Sequence, residues 1–159
     1  MTGYFDAAPR AIRPEDAEPV HALVLGVLGV TPYVDRTLHL VAAAERGDPE
    51  VRALLTERDG TVAALALFGP VAGASGAWHL HMLLTAAGIA ARDVGGRIVD
   101  AALDTVRAGG GRFLLAELPA DPVIGSTLTL LRAKAFKQVG RIPDFFREGV
   151  ALLFLRRDL

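Results

Sequence analysis

Val20, Leu23, Val24, Val27 and Leu28 recur at i, i+3, i+4, i+7 and i+8, the stripe of a helix that buries one face. Pro14 and the acidic Glu15, Asp16 and Glu18 stand ahead of it, where fixed φ and negative charge suit a first helical turn. A short strand around Ala11–Arg13 precedes that turn. Thr31-Pro32-Tyr33 breaks the stripe, and a second helix is predicted from Asp35 to Glu45, stopping at Gly47 before the turn Asp48-Pro49. VRALLTER and TVAALALFG flank Asp59-Gly60, a hairpin signal. Trp78–Leu84 reads as a fourth strand, followed by a helix from about Gly95 to Ala108 with Ile98, Val99, Ala102, Leu103 and Val106 inward, closed by Gly109-Gly110-Gly111. RFLLAELP is a fifth strand. Asp121-Pro122 opens another helix with Ile124, Leu128 and Leu131 on one side, and KQVGRI and VALLFLRR end the chain as strands. The predicted order is βααβββαβαββ.

The 159 residues, 52% of them hydrophobic, suit a single domain over 1–159 that buries about two-thirds of its unfolded surface. Net charge is −1, which gives no reason to expect nucleic acid or an anionic membrane as partner. The charge is uneven. Residues 1–60 hold 6 Arg against 10 acids, and 61–159 hold 11 Lys or Arg against 8 acids. Without cysteine there is no thiolate nucleophile, disulfide or cysteine-ligated zinc. The opening MTGYFDAAPR is polar and proline-broken, unlike a signal peptide, and the apolar run Val20–Val30 is too short to cross a bilayer. A cytoplasmic protein, monomeric or homodimeric, is expected.

Two stretches carry candidate chemistry. Gly95 and Gly96 fall at the predicted helix start. Bare backbone there would let a phosphate approach unpaired N–H groups, with Arg92 or Arg97 adding charge; equally, the pair would let the chain turn and the helix pack closely on the sheet. Asp93 is placed to cap the helix. No dinucleotide fingerprint or Walker loop is present. In the fourth strand, alternation puts His79 and His81 on one face, opposite Trp78, Leu80 and Met82. They are candidate proton acceptors, a candidate metal pair, or hydrogen-bonded sheet residues; Glu117 on the fifth strand is a further candidate base.

The element order, the glycine-bearing turn after the fourth strand and the phrases AIRPEDAEPV, RGDPEVRALLTERDGTVAALALFG and RIPDFFREG together resemble the GNAT acetyltransferase superfamily over nearly the whole chain. The resemblance implies an α/β (α+β) fold with a mixed central sheet of six to seven strands flanked by helices. It implies direct transfer of an acetyl or other acyl group from coenzyme A to an amine of a small molecule, with acetyl-CoA as cosubstrate and no metal. The alternative is a weak or inactive acyl-CoA-binding regulatory protein, or other CoA-thioester chemistry. His81 is the leading catalytic residue, with His79 and Glu117 beside it. The cofactor segments are the strand backbone at Leu83, Leu84 and Thr85, and the loop Ala90, Ala91, Arg92, Asp93, Val94, Gly95, Gly96 and Arg97. The pyrophosphate signature, laid on residues 90–95, keeps its last glycine at Gly95 but has Ala90 and Asp93 where a basic or amide residue and a glycine are usual. Tyr33, Asp35 and Phe146 would shape the acceptor pocket. Relatives often carry a thiolate-protonating tyrosine five residues before the phenylalanine of a Gly-Phe pair; here Leu131 holds that place and Ala135-Phe136 replaces the pair. Thr127, Ser126 or water would substitute.

Overall fold

The computed structural model describes residues 7–88 and 91–159, the side chains of Ala91 and Arg92 excepted. Seven strands form one mixed sheet in the order β1-β2-β3-β4-β5-β7-β6. They are β1 (Arg10–Ala11), β2 (Arg52–Arg58), β3 (Thr61–Pro70), β4 (Ala77–Thr85), β5 (Phe113–Pro119), β6 (Lys137–Arg147) and β7 (Val150–Asp158), interleaved with α1 (Ala17–Leu28), α2 (Tyr33–Glu45), α3 (Ala91–Ala108) and α4 (Gly125–Ala133). The predicted order holds.

The α1 stripe buries Val20, Leu23, Val24 and Leu28 against α2, β3 and β4. Pro14–Asp16 forms a separate 3-10 turn ahead of α1. Asp16, buried, is gripped by both guanidinium nitrogens of Arg10 at 2.7 and 2.8 Å and by the Arg13 N–H, which holds its carboxyl below the usual range. The β2–β3 turn is Asp59-Gly60 with φ of 52° and 75°, the doubly left-handed pair that a tight hairpin demands. On α3, Ile98, Val99, Ala102, Leu103 and Val106 are buried as predicted.

Several boundaries differ. β1 is Arg10–Ala11 rather than Ala11–Arg13, α2 begins at Tyr33 rather than Asp35, Pro122–Ile124 is a 3-10 turn and α4 starts only at Gly125, and β6 runs to Arg147, well past KQVGRI. One difference bears on the site: α3 begins at Ala91, a full turn before Gly95. The buried face of α4 also shifts, to Thr127, Leu130 and Leu131, with Leu128 only partly covered.

Among the described strands only β4 and β5 run parallel, and they pair from Ala77–Leu80 to Phe113–Ala116 and no further. Beyond that point the two strands part. Immediately past the last pair, β4 carries an extra residue: Phe68 faces Leu80 and Leu67 faces Met82, which leaves His81 as a bulge. Strict alternation fails there, so Met82 joins the side of the sheet that faces α2. Thr85 turns to the other side, against α3.

Candidate functional site

A cavity of about 140 Å3 opens where β4 and β5 part, lined by Pro32, Tyr33, Arg36, His81, Met82, Glu117, Pro119 and Phe146. It brings together four of the residues singled out in the sequence: His81, Glu117, Tyr33 and Phe146. His79 stands beside them, its Nε2 3.3 Å from Glu117 Oε1 and its ring 5.7 Å from that of His81. Asp35 is not brought in; it is exposed in the first turn of α2. Met82, expected on the opposite face from the histidines, lines the cavity because of the bulge. A larger cavity of about 460 Å3 lies between α1 and the β2–β3 turn. Its walls, among them Ala22, Leu23, Val27, Val62 and Ala86, bring no titratable group, and a cavity of about 440 Å3 beside β2 has Asp48 and Arg52 in its walls but none of the residues singled out as candidate bases.

Burial pushes the His81 imidazole down to about 4, helped by the neighbouring charges of His79 and Arg36 and opposed by the hydrogen bond its ring gives the Glu50 carbonyl. At neutral pH it is therefore neutral. One ring nitrogen is occupied as donor and the other is left as an acceptor. A base this weak can receive a hydrogen bond from an amine but is poorly matched to holding its proton. Glu117, whose Oε1 lies 3.3 Å from His79 Nε2, adds a carboxylate to the same cavity.

Tyr33 and Phe146 are fixed by a network with no local signature in the sequence. The Tyr33 hydroxyl donates to Asp121 Oδ2 at 2.8 Å. Arg147 donates to the same oxygen at 2.8 Å and to the Tyr33 hydroxyl at 3.2 Å. Asp121 Oδ1 accepts from the Val123 N–H, capping the turn before α4. Asp121 is buried, and its carboxyl is nonetheless held below the ordinary value: the Val123, Tyr33 and Arg147 donors outweigh the cost of desolvation. Phe146, next to Arg147, presents its ring edge-on to Tyr33 at 5.7 Å. Asp121 was legible only as a helix start, and Arg147 not at all.

The β4 backbone at Leu83, Leu84 and Thr85 borders the gap between the strands; the Leu83 and Leu84 side chains are fully buried. The buried Thr127 hydroxyl donates to the Leu83 carbonyl at 2.7 Å, tying α4 to the splayed strand. Ala90 lies outside the described residues, as do the side chains of Ala91 and Arg92. Asp93 and Arg97 are exposed, and Arg97 Nε donates to the Asp93 carbonyl at 3.3 Å. Val94 is buried.

Gly95 and Gly96 are inside α3 and buried. A Cβ at Gly95 would lie 2.5 Å from Leu130 Cδ2 and 3.0 Å from Thr85 Cγ2; one at Gly96 would lie 3.3 Å from Lys134 Cε. The expectation that the helix starts at this pair is corrected. The glycines let α3 close on α4 and β4, and the first turn of the helix lies earlier, at Ala91–Val94. Among the described residues no group of three His, Cys, Asp or Glu is arranged to hold a metal, and none of the helices is long and apolar enough to cross a membrane.

No family model matches the sequence, and none of the curated proteins matches it. Solved structures do. A GNAT-family protein of Desulfovibrio desulfuricans superposes with TM-score 0.85 at 22% identity, over 97% of this chain and 99% of its own. A ribosomal-protein-alanine N-acetyltransferase of Brucella melitensis gives 0.76 at 18%, over 96% and 100%. An aminoglycoside 6'-N-acetyltransferase in complex with coenzyme A gives 0.77 at 13%, over 96% and 97%. The two enzymes act on quite different amines, so the shared architecture does not choose an acceptor. With a seven-stranded mixed sheet, the bulge in β4 and the parting of β4 from β5, this chain has the fold of the GNAT acetyltransferases.

Proposed function

We propose that the protein transfers an acyl group, acetyl in the simplest case, from coenzyme A to an amine of a small molecule by direct attack. The observation that carries this reading is the cavity with Glu117 and His81 at the point where β4 leaves β5. There an unpaired strand edge and a proton acceptor come together. The neighbour that holds coenzyme A supports acyl-CoA as the cosubstrate.

The residues present fit such a group. The gap beside Leu83–Thr85 offers strand backbone to an extended pantetheine chain, and the first turn of α3 offers N–H groups and partial positive charge to its pyrophosphate. Acyl-CoA supplies the electrophilic thioester carbon. Glu117 attracts the acceptor ammonium and takes its first proton, with His79 Nε2 sharing the charge. The acceptor nitrogen of His81 receives a hydrogen bond from the same amine and turns its lone pair toward β4. As the C–N bond forms and the C–S bond breaks, the second amine proton leaves to solvent and the thiolate draws one from it. The net release is one proton per turnover. Tyr33 and Phe146, locked through Asp121 and Arg147, keep the cavity wall in place while this happens.

The test is acetyl-CoA titration followed by turnover. Ligand at 100 times its dissociation constant stabilises by about 2.7 kcal/mol, so acetyl-CoA should raise the melting temperature of the wild type and of Glu117→Gln alike. Only the wild type should then release CoA at full rate against an amine panel, with Glu117→Gln slower by about 10²-fold or more. Absence of binding at millimolar acetyl-CoA removes the reading. Binding without turnover on any amine moves it to acyl-CoA sensing.

A further inference from the structure

The cavity holds a charge of each sign, the negative one with only His79 Nε2 beside it, 3.3 Å away. Glu117 contributes the carboxylate. Arg36, on α2, lines the same cavity, and its charge reaches His81 strongly enough to oppose that ring's protonation. Arg36 is exposed and makes no hydrogen bond or ion pair with any described residue. The neighbouring charges are otherwise occupied: Asp121 and Arg147 close on each other and on Tyr33, His81 is neutral, and Asp35 is exposed and does not line the cavity. Around the two charges stand Pro32, Met82, Pro119 and Phe146.

We propose, building on the acyl-transfer reading above, that the acceptor is a free α-amino acid with a small or medium apolar side chain. Its ammonium sits on Glu117, its carboxylate on Arg36, and its side chain against Met82 and Phe146. A guanidinium left unpaired beside a cationic substrate is repulsive, and one that takes a carboxylate bidentately is a charge-assisted contact of the strongest kind. Arg36 therefore disfavours a polycationic sugar and favours a zwitterion. A peptide N-terminus brings the ammonium but puts an amide where Arg36 expects a carboxylate.

The inference is tested by calorimetric titration of L-leucine and L-methionine, their primary amides, the dipeptide glycylglycine and kanamycin. Each is added to the protein alone and to the protein saturated with coenzyme A. The free acids should bind at least about tenfold more tightly than their amides, and the dipeptide and kanamycin more weakly still. Arg36→Gln should bring the ratio of acid to amide affinity to about one, and Glu117→Gln should weaken acids and amides together. Amides binding as well as acids, kanamycin binding more tightly than either, or an acid preference that survives Arg36→Gln would overturn the proposal. So would the absence of any amino acid binding. If coenzyme A binds and the acid preference is missing, only the acceptor assignment falls; if amino acids bind with the stated preference and no acyl-CoA does, the acyl-transfer reading falls alone.

Discussion

Replacing Gly95 and Gly96 one at a time by alanine separates packing from phosphate access. In the interior of a helix, glycine to alanine gains about 0.5–1 kcal/mol of backbone propensity. At Gly95 the new methyl would sit 2.5 Å from Leu130 Cδ2 and 3.0 Å from Thr85 Cγ2. Leu130 is buried, and forcing an extra methyl into a packed site costs about 1–3 kcal/mol. Gly95→Ala is therefore expected to destabilise by about 1 kcal/mol. At Gly96 the methyl meets Lys134 Cε at 3.3 Å, a contact on a flexible chain that gives by a few tenths of an ångström. Disturbing the exposed Lys134–Asp100 pair forfeits well under 1 kcal/mol. Gly96→Ala is expected to stabilise by about 0.5 kcal/mol. Urea unfolding reads both as shifts in midpoint at constant slope, and for a chain of this size 1 kcal/mol moves the melting temperature by about 2–4 °C. Acetyl-CoA affinity of the folded Gly96→Ala protein should stay within about twofold of wild type. Shifts of the same sign at both positions would refute the packing argument, and a stabilised Gly96→Ala that loses acetyl-CoA would restore the phosphate reading.

Two further outcomes follow from the backbone and from His81. Ala135→Gly should stabilise by about 0.5–1 kcal/mol in the same unfolding assay: Ala135 has φ of +63°, a conformation that costs alanine about 1–2 kcal/mol, partly offset by the greater freedom of an unfolded glycine. No gain would mean that the turn is not under that strain. His81 is held at about 4 when folded against about 6.5 in an unfolded chain, so between those values the unfolded chain binds the extra proton. Stability should fall as pH drops from 6.5 toward 4, and His81→Gln should flatten that part of the profile; superimposable wild-type and variant profiles would show that His81 is not buried in its neutral form.

Periodicity made α1, α2, the β2–β3 hairpin and the inward face of α3 legible, because each buries one face and exposes the other. The stretch before α3 was not. Val94 is in register with Ile98 and buried with it, but the adjacent glycines between them read as a boundary until Leu130 and Thr85 are seen against Gly95. The bulge at His81 is equally silent: in HLHMLL the residues following it are apolar on both faces, so one extra residue leaves no trace in the pattern. Histidine spacing and Glu117 did point to the cavity. What fixed its wall did not show, since Tyr33, Asp121 and Arg147 come from α2, the turn before α4 and the end of β6. Asp35 was placed by nearness in sequence to Tyr33, and a residue two along a helix points elsewhere.

Leu131 is best understood from the end of α4 rather than from the chemistry it lacks. The Phe136 N–H bonds the Leu131 carbonyl and the Ala135 N–H bonds the Arg132 carbonyl, the paired bonds of a Schellman ending, in which residues at the Leu131 and Phe136 positions commonly make an apolar contact. Both are buried, so a leucine here helps terminate the helix and fill the core. A tyrosine would bring into that space a larger ring and a hydroxyl in need of a partner. The nearby hydroxyls do not replace it. Thr127, one turn earlier on the same face, already donates its proton to the Leu83 carbonyl, and Ser126 is exposed. In the acyl transfer proposed above, the leaving thiolate needs no dedicated acid, since a thiol titrates near 8.5 in the case of cysteine, and we infer that water delivers its proton. The demand then falls on the other side of the reaction, on the removal of the amine proton. That is where the fold concentrates its titratable groups: Glu117, His79 and His81, between a strand that has parted from its neighbour and a wall held by Asp121.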